Sequence, residues 1–171
     1  LVMEGPTGTV ARIALSPDGK RLASGGSDGM VKMWDLARGR ETLTWKGHDK
    51  EITSVAFSPD GEQLASASSD QTVKVWDALS GREKLALKGH THAVTSVTFD
   101  LEGRRLASGS WDGTVKVWET QSGQEILTLD MHHSAVSSVA FSPDGKWLAS
   151  ANHDHTVKLW DTTSGQEWRV F

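Results

Sequence analysis

Histidine, serine and aspartate recur together along this chain at spacings that could place a base, a nucleophile and an orienting acid side by side. The sets are His48, Ser66 and Asp70; His90, Ser108 and Asp112; and His132, Ser150 and Asp154. In acyl transfer, a histidine activates the serine while the acid orients the histidine. A catalytic constellation is needed once per site, whereas recurrence at one interval is typical of a polar brace that satisfies buried groups. We therefore expect these residues to stabilise the fold and to touch no substrate.

The same interval governs the whole chain. A tryptophan followed by an acidic residue occurs four times, each pair 42 residues after the last. The pairs are Trp34-Asp35, Trp76-Asp77, Trp118-Glu119 and Trp160-Asp161. A period of this size indicates one supersecondary unit repeated in tandem. Four such units account for almost all of the 171 residues, which leaves no room for a separate catalytic domain.

Each unit reads as a meander of short strands. In the second unit, residues 52–57 alternate apolar with small or polar side chains, as half-buried strands do. The Ser-Pro-Asp-Gly segment that follows predicts a turn, because proline presets φ and glycine tolerates positive φ. Further strands are predicted over 63–68, 72–76 and 83–87. The other units match this pattern, and no helix of useful length is predicted.

A lone four-stranded meander cannot bury both of its faces, so neighbouring units must stack, and radial stacking gives a propeller. The motifs GH, SPDG, LAS, D and WD follow one another in this order along the repeats, and over essentially its whole length the chain resembles the WD-repeat family of β-propellers. The resemblance implies an all-β propeller with four four-stranded antiparallel blades per chain. The expected repeats are 7–48, 49–90, 91–132 and 133–171, with 1–6 as a partial outer strand and loop.

The resemblance also implies a hydrogen-bonded tetrad in each blade. Its positions are His48, Ser66, Asp70 and Trp76; His90, Ser108, Asp112 and Trp118; and His132, Ser150, Asp154 and Trp160. In the first blade Pro6 stands at the histidine position. In the third blade Asp100-Leu101-Glu102-Gly103 replaces the Ser-Pro-Asp-Gly turn, and Glu119 replaces the aspartate after tryptophan. The first blade is therefore expected to be the softest.

Four blades of this family span roughly half a circle, since such propellers close with about six to eight. An open half-ring would leave apolar sheet faces exposed, which monomers rarely tolerate. We expect two copies to pair as a homodimer that closes an eight-bladed ring. Residues 1–3 and 169–171 correspond to the same repeat positions, so the chain is expected to be divided within an outer strand. The alternative is a piece of a longer propeller that does not close alone.

Partners of this family commonly dock on one rim, where the loops between strands two and three and between successive blades meet. Loops on a rigid scaffold are where binding residues concentrate. The corresponding positions here are Trp111, His153, Glu51, Thr53, Thr95, Ser137, Ser27 and Ser69. Trp111 is the expected anchor, because an exposed indole offers a large contact area and a donor. Alternatively it merely covers the rim.

The leading functional prediction is a non-catalytic scaffold that binds a protein or peptide on the rim. One alternative is a purely structural, self-assembling propeller fragment, natural or engineered. Another is an enzyme using the central channel, which would need clustered carboxylates, histidines or metal ligands outside the repeat pattern. No cofactor or metal is expected, since the loop histidines lack a two-ligand spacing. These histidines are His92, His132, His133, His153 and His155.

Composition narrows the partners. The formal net charge is -4, from 18 basic and 22 acidic residues without a basic run, which disfavours nucleic acid. The chain has no cysteine, which excludes thiol chemistry and fits a reducing compartment such as the cytoplasm. Apolar stretches are only a few residues long, so neither a signal peptide nor a membrane span is expected.

Overall fold

The computed structural model describes residues 8–130 and 134–171 of the chain. Pro6, His132, His133 and the segment 1–3, on which sequence predictions fell, lie outside the described residues. Within these two stretches the chain contains sixteen strands and no helix. The strands form four separate four-stranded antiparallel sheets, each of them a meander of sequential neighbours. The all-β architecture of four blades is therefore confirmed.

The strand bounds follow the repeat closely. Blade 1 contains β1 (Val10–Leu15), β2 (Arg21–Gly26), β3 (Met30–Asp35) and β4 (Arg40–Lys46). Blade 2 contains β5 (Ile52–Phe57), β6 (Gln63–Ser68), β7 (Thr72–Asp77) and β8 (Glu83–Lys88). Blade 3 contains β9 (Val94–Phe99), β10 (Arg105–Ser110), β11 (Thr114–Glu119) and β12 (Glu125–Asp130). Blade 4 contains β13 (Val136–Phe141), β14 (Trp147–Asn152), β15 (Val157–Asp161) and β16 (Glu167–Val170).

Each first strand carries an irregularity in its pairing with the second. In blade 2 the register shifts between Ile52 and Ser54. An unbroken strand would point residues three apart to opposite faces, but the extra residue of a bulge brings them to the same side. Ile52 and Val55 are accordingly both buried. The shift lets β5, β9 and β13 each present two apolar side chains to the preceding blade.

The connection between first and second strands is held by a serine and an aspartate in blades 1, 2 and 4. In blade 2, the Ser58 hydroxyl donates to Asp60 Oδ1 at 2.5 Å and accepts the Gln63 amide at 2.9 Å. Gly61 has a φ of 71°, in the left-handed region that favours glycine. These contacts explain why the Ser-Pro-Asp-Gly segment turns the chain.

The core lies between blades rather than within them. Three clusters of buried side chains fill the spaces between blades 1 and 2, blades 2 and 3, and blades 3 and 4. Between blades 2 and 3, Val73 and Val75 of β7 pack in one cluster with Val94 and Val97 of β9. Each interface thus joins the third strand of one blade to the first strand of the next.

Two arginines also fasten successive blades together. Arg21 donates to the carbonyl oxygens of Gly61 at 2.7 Å and Ala78 at 3.3 Å in blade 2. Arg105, two repeats later, donates to Gly145 O at 2.7 Å and to Thr162 Oγ1 at 3.1 Å in blade 4. The same arginine contact therefore joins blade 1 to blade 2 and blade 3 to blade 4. Blade 2 has Gln63 at the corresponding position.

Among the described residues, no blade covers the face of blade 1 that points away from blade 2. We call this face, with Val10, Ile13 and Leu15, the first flank. These three side chains are 42%, 63% and 61% exposed. Ile52 and Val55, which hold the corresponding positions in blade 2, are 0% and 8% exposed. The same repeat positions are therefore core in one blade and surface in another.

The opposite face of blade 4 is likewise open, and we call it the fourth flank, with Val157 and Phe171. These side chains are 44% and 66% exposed. Val115 and Leu129, at the corresponding positions of blade 3, are fully buried against blade 4. The first and fourth flanks thus carry apolar side chains at the repeat positions that form the two sides of each internal interface.

Candidate partner-binding rim and the braces beneath it

The structure brings the four residues of the second tetrad into one hydrogen-bonded chain. His48 Nδ1 lies 2.9 Å from Asp70 Oδ2, and His48 Nε2 lies 2.7 Å from Ser66 Oγ. The Trp76 indole donates to the same serine oxygen at 2.8 Å. Because these atoms belong to the connection before β5, to β6, to the β6–β7 turn and to β7, the tetrad ties the elements of the blade together.

Burial determines the protonation state of the His48 imidazole in this tetrad. It lowers the pKa of His48 below its usual value, an effect that outweighs the nearby Asp70 carboxylate. The imidazole is therefore neutral near pH 7, with Nδ1 donating to Asp70 and Nε2 accepting the Ser66 hydroxyl proton. Burial alone would raise the pKa of Asp70, but hydrogen bonds from Thr72 and His48 outweigh it and lower that pKa.

The third tetrad repeats this geometry. His90 contacts Asp112 and Ser108 at 2.8 Å each, and Trp118 donates to Ser108 at 2.9 Å. Burial would raise the pKa of Asp112, but hydrogen bonds from His90 and Thr114 hold that pKa well below its usual range.

The end blades keep the serine–tryptophan bond of the tetrad. Trp34 donates to Ser24 at 3.1 Å, and Trp160 donates to Ser150 at 3.2 Å. The predicted tetrad histidine of blade 4, His132, lies outside the described residues. The predicted aspartate of the same tetrad, Asp154, accepts a hydrogen bond from the Thr156 hydroxyl at 2.6 Å.

Aspartate, histidine and serine are hydrogen-bonded in the same order as in a hydrolytic triad. The surroundings of the serine, however, differ from those of a catalytic nucleophile. Ser66 is fully buried, and its oxygen already accepts the Trp76 indole proton. A nucleophile must reach an acyl carbon with a free lone pair, and water or substrate has no path to this hydroxyl. The arrangement can hold a blade together but offers no open position for a reacting atom.

One rim of the molecule is formed by the β2–β3, β6–β7, β10–β11 and β14–β15 turns and by the connections between blades. We call it the upper rim. In every blade an amide of the turn donates to a carbonyl of the strand-entry connection at 2.9 to 3.0 Å. The pairs are Ser27 with Thr9, Ser69 with Glu51, Trp111 with Ala93, and His153 with Ala135. The predicted rim residues are thus brought together blade by blade on a rigid base.

Exposure divides the predicted rim residues into two groups. Trp111 is 54% exposed and lies 5.8 Å, centroid to centroid, from the His92 ring. The other exposed members are Ser27, Glu51, Ser137 and His153, whereas Thr53, Ser69 and Thr95 are half-buried. The rim positions derived from the repeat do not include His92, which lies in the connection before β9 and which the sequence marks only as one of the loop histidines.

The two half-buried threonines contact the next blade rather than solvent. The Thr53 hydroxyl donates to Val94 O, and the Thr95 hydroxyl donates to Val136 O at 2.7 Å. Each bond joins the first strands of successive blades. The hydroxyls of these two rim positions are therefore already engaged between blades.

The described residues hold no group of three or more histidine, cysteine, aspartate or glutamate side chains placed to bind a metal ion. His153 and His155 are both exposed on either side of Asp154. In the same part of the chain, no helix has the length and apolar character needed to cross a membrane.

Stacked four-stranded blades, inter-blade cores and a recurrent buried tetrad define a β-propeller repeat protein. Residues 51–170 match the family model of the IFT122 first beta-propeller, and residues 1–35 match that of the WD domain, G-beta repeat. The first match covers well over half of the chain, which therefore belongs to the WD-repeat β-propeller family, as the sequence motifs predicted. Propellers of this family are in general protein-binding scaffolds.

Individual relatives match over about one repeat. An uncharacterized WD repeat-containing protein of Nostoc sp. is 49% identical over 47 residues, which are 28% of this chain and 3% of that protein. The small ribosomal subunit protein RACK1z of Arabidopsis thaliana is 54% identical over 39 residues, 23% of this chain and 12% of that protein. RACK1 of Caenorhabditis elegans is 47% identical over 45 residues, 26% and 14% of the two chains. The chain thus matches only a small part of the length of these relatives.

Proposed function

We propose that this protein is a non-catalytic scaffold that binds a protein or peptide on its upper rim and pairs with a second copy through its flanks to close an eight-bladed ring. The observation that carries the rim proposal is the exposed Trp111 on a turn held rigidly by hydrogen bonds. The Trp111 amide is bonded to Ala93, and the adjacent Asp112 is bonded to His90. A large side chain on a fixed turn loses little entropy when it binds.

A non-catalytic role is supported by the burial of His48 and Ser66 in blade 2 and of His90 and Ser108 in blade 3, which leaves neither serine open to a substrate. A cytoplasmic location is part of the same proposal, because a chain without cysteine suits a reducing compartment. A channel enzyme remains the rival, and it would require a reacting cluster on the rim that departs from the repeat.

The rim proposal is tested by selecting peptides from a random displayed library on the immobilised protein. Trp111→Ala should lower the affinity for the selected peptides at least about tenfold, which corresponds to roughly 1.4 kcal/mol of binding free energy. Trp168→Ala is the matched control, since Trp168 is equally exposed at 55% but lies on an outer strand. Selected peptides that bind Trp111→Ala as tightly as the unchanged protein would contradict the proposed anchor.

Pairing is supported by the match between the two flanks. The first flank has the repeat positions that blades 2, 3 and 4 use to pack on the preceding blade. The fourth flank has the repeat positions that blades 1, 2 and 3 use to pack on the following blade. Burying each exposed valine, leucine or phenylalanine contributes roughly 1.5–3 kcal/mol. A second copy related by a twofold axis covers both flanks at once.

The polar contacts of the internal interfaces have counterparts at the flanks. Ser137 holds the repeat position of Thr53 and Thr95, and Val10 holds that of their acceptors. Ser137 is exposed and its hydroxyl donates within its own blade, to Ala151 O at 3.0 Å. On pairing, we expect this hydroxyl to turn to Val10 O of the second copy.

Sedimentation velocity over about 1 to 100 µM tests the pairing, on the concentration scale of ordinary homodimers. We expect a mass twice the 18.5 kDa of one chain. Ile13→Asp and Phe171→Asp, one on each flank, should each produce monomers, whereas Leu79→Asp, at a 74% exposed leucine away from both flanks, should not. A monomer at tens of micromolar would overturn pairing, and open-ended oligomers would overturn the closed ring.

A purely structural, self-assembling fragment is the alternative function. It shares the pairing but not the rim. Assembly that survives Trp111→Ala together with a failure to select any rim-binding peptide would favour this alternative.

A further inference from the structure

The rim opposite the upper rim contains a cleft of about 490 Å³ between blades 3 and 4. We call this side, formed by the connections from first to second and from third to fourth strands, the lower rim. Leu101 and Ile126 supply the apolar part of the cleft and are 66% and 53% exposed. Glu102, Glu119 and Asp144 supply carboxylates around them. The cleft is large enough for one bulky side chain with its neighbours.

Several positions at which blade 3 departs from the other blades meet in this cleft. Leu101 and Glu102 stand where the other three blades have proline and aspartate, and Glu119 stands where they have aspartate. Ile126 stands where they have threonine, lysine and tryptophan. Such departures are separated by up to 25 residues in sequence, yet all of them line one cleft. A repeat needs none of them to fold, as the other three blades demonstrate.

The turn chemistry of blade 3 releases a carboxylate that the other blades use internally. In blades 1, 2 and 4 the aspartate accepts the hydroxyl of the serine two residues earlier. In blade 3, Asp100 takes over the turn by accepting the amides of Arg104 and Arg105 and the Arg105 side chain at 2.9 Å. The Glu102 side chain is left 69% exposed, in a 3.3 Å pair with the Arg104 guanidinium, whose side chain is 82% exposed.

The charge around the cleft is predominantly negative. Its lining has four carboxylates and two guanidinium groups, and the Arg105 guanidinium is engaged by Asp100 and by blade 4. The corresponding region between blades 1 and 2 is different, because three cations and only two carboxylates line the cleft beside Leu79 there: Lys20, Arg21 and Arg38 against Asp18 and Asp35. Exposed apolar side chains thus occur at both places, but only one of these two clefts has a mainly acidic border.

We propose that this cleft docks a segment of a partner protein in which one bulky aliphatic or aromatic side chain is flanked by lysine or arginine. The bulky side chain would lie between Leu101 and Ile126, and its basic neighbours would pair with Glu102, Glu119 and Asp144. Apolar contact supplies most of the affinity of such an anchor, and the carboxylates select the charge of its neighbours. The site is separate from the upper rim and from both flanks, so it does not depend on the function proposed above.

The cleft is also rigid enough to be selective. Its two walls belong to blades that are joined by the Arg105 contacts and by the Thr95 bond to Val136. A preformed cleft requires little ordering when a peptide binds.

Fluorescence anisotropy with labelled synthetic peptides tests the proposal. The probe is Arg-Lys-Leu-Lys-Arg, and its controls replace the central leucine by alanine or the flanking residues by glutamate. We expect the probe to bind, both controls to bind at least about tenfold more weakly, and binding to weaken when salt is raised from about 0.1 to 1 M.

Restoring the common turn provides the matched variant. Asp100→Ser, Leu101→Pro and Glu102→Asp together give blade 3 the Ser-Pro-Asp-Gly turn that already folds in three other blades, and thermal melting verifies that this one folds too. We expect this variant to bind the probe at least about tenfold more weakly. Ile126→Thr, which takes the residue of blade 1, should weaken binding as well. Leu79→Ala removes an exposed leucine from the basic cleft and should leave binding unchanged.

The proposal is overturned if the leucine probe does not bind at millimolar concentration, or if it binds no better than the alanine and glutamate controls. It is equally overturned if the restored turn binds the probe as the unchanged protein does, because the binding site would then lie elsewhere. The upper-rim variant Trp111→Ala should leave the affinity for this probe intact, and a loss there would assign the peptide to the other rim.

Discussion

Blades 2 and 3 and blades 1 and 4 are built from the same repeat but differ in how that repeat is buried. Each inner blade has a neighbour on both faces and a complete tetrad. Each end blade has one covered face and one flank, and among the described residues its tetrad retains the serine–tryptophan bond. The comparison teaches that the neighbour, rather than the side chain, decides which apolar residue is core.

The largest effect separates a covered position from its uncovered equivalent. Ile52→Ala should lower the free energy of unfolding by about 2–5 kcal/mol, because Ile52 is fully buried between blades 1 and 2. Val10→Ala, at the same repeat position, should change it by less than about 0.5 kcal/mol when measured on the monomer. Urea unfolding at low protein concentration measures both. Equal losses would mean that the first flank is already covered in solution.

The next effect compares the tetrads. Asp112→Ala should lower the free energy of unfolding by about 1–3 kcal/mol, because it leaves the buried His90 Nδ1 without its acceptor. Asp154→Ala in blade 4 should have a smaller effect, since that carboxylate is exposed. Thermal melting of the two variants measures the difference. A larger loss from Asp154→Ala would reverse the ranking of inner and end blades.

A smaller and opposite effect is expected at two turns. Gln71 and His155 have φ values of 75° and 68°, at positions where blades 1 and 3 have glycine. A left-handed backbone is unfavourable for residues with a Cβ, so Gln71→Gly and His155→Gly should each stabilise the protein by about 0.5–1 kcal/mol. Because one turn is in an inner blade and the other in an end blade, equal gains would separate turn strain from flank exposure. Destabilisation by both would show that the side chains contribute more than the strain costs.

The smallest effect is the pH dependence of an inner tetrad. Burial lowers the pKa of His48 in the folded protein, so the unfolded chain takes up a proton that the folded chain refuses. Stability is then complete above the usual histidine pKa of about 6.5 and declines as the pH falls below it. Melting curves between about pH 7.5 and 5 should shift less for His48→Gln than for the unchanged protein. His92→Gln, at an exposed histidine, should keep the full shift.

Much of this architecture could be predicted from the sequence because the four repeats show the same order of strands and turns. Strands 52–57 and 63–68 coincide with β5 and β6, and the predicted third and fourth strands end within one residue of β7 and β8. The tetrad residues could be assigned to one site in each blade because they recur at the same 42-residue interval as the strands. The WD-repeat family was recognised on the same grounds.

Contacts between blades could not be predicted in this way. Nothing in the sequence marks Arg21 and Arg105 as contacts between blades, since their acceptors are backbone carbonyls 40 residues away that carry no sequence signal. The sequence predicts rim positions for Thr53 and Thr95, but it carries no sign that their hydroxyls bond to the next blade. The departures of blade 3 were visible in the sequence, but only the structure puts Leu101 beside Ile126.

The well-packed strand pairs of the described chain lie within one blade or between successive blades. A nascent chain can therefore finish each sheet and dock it on the one before as it leaves the ribosome, without waiting for residues made much later. Contacts that close over short separations also form quickly. The same vectorial order lets a gene of this kind grow by whole repeats while the earlier repeats keep their amino acids unaltered.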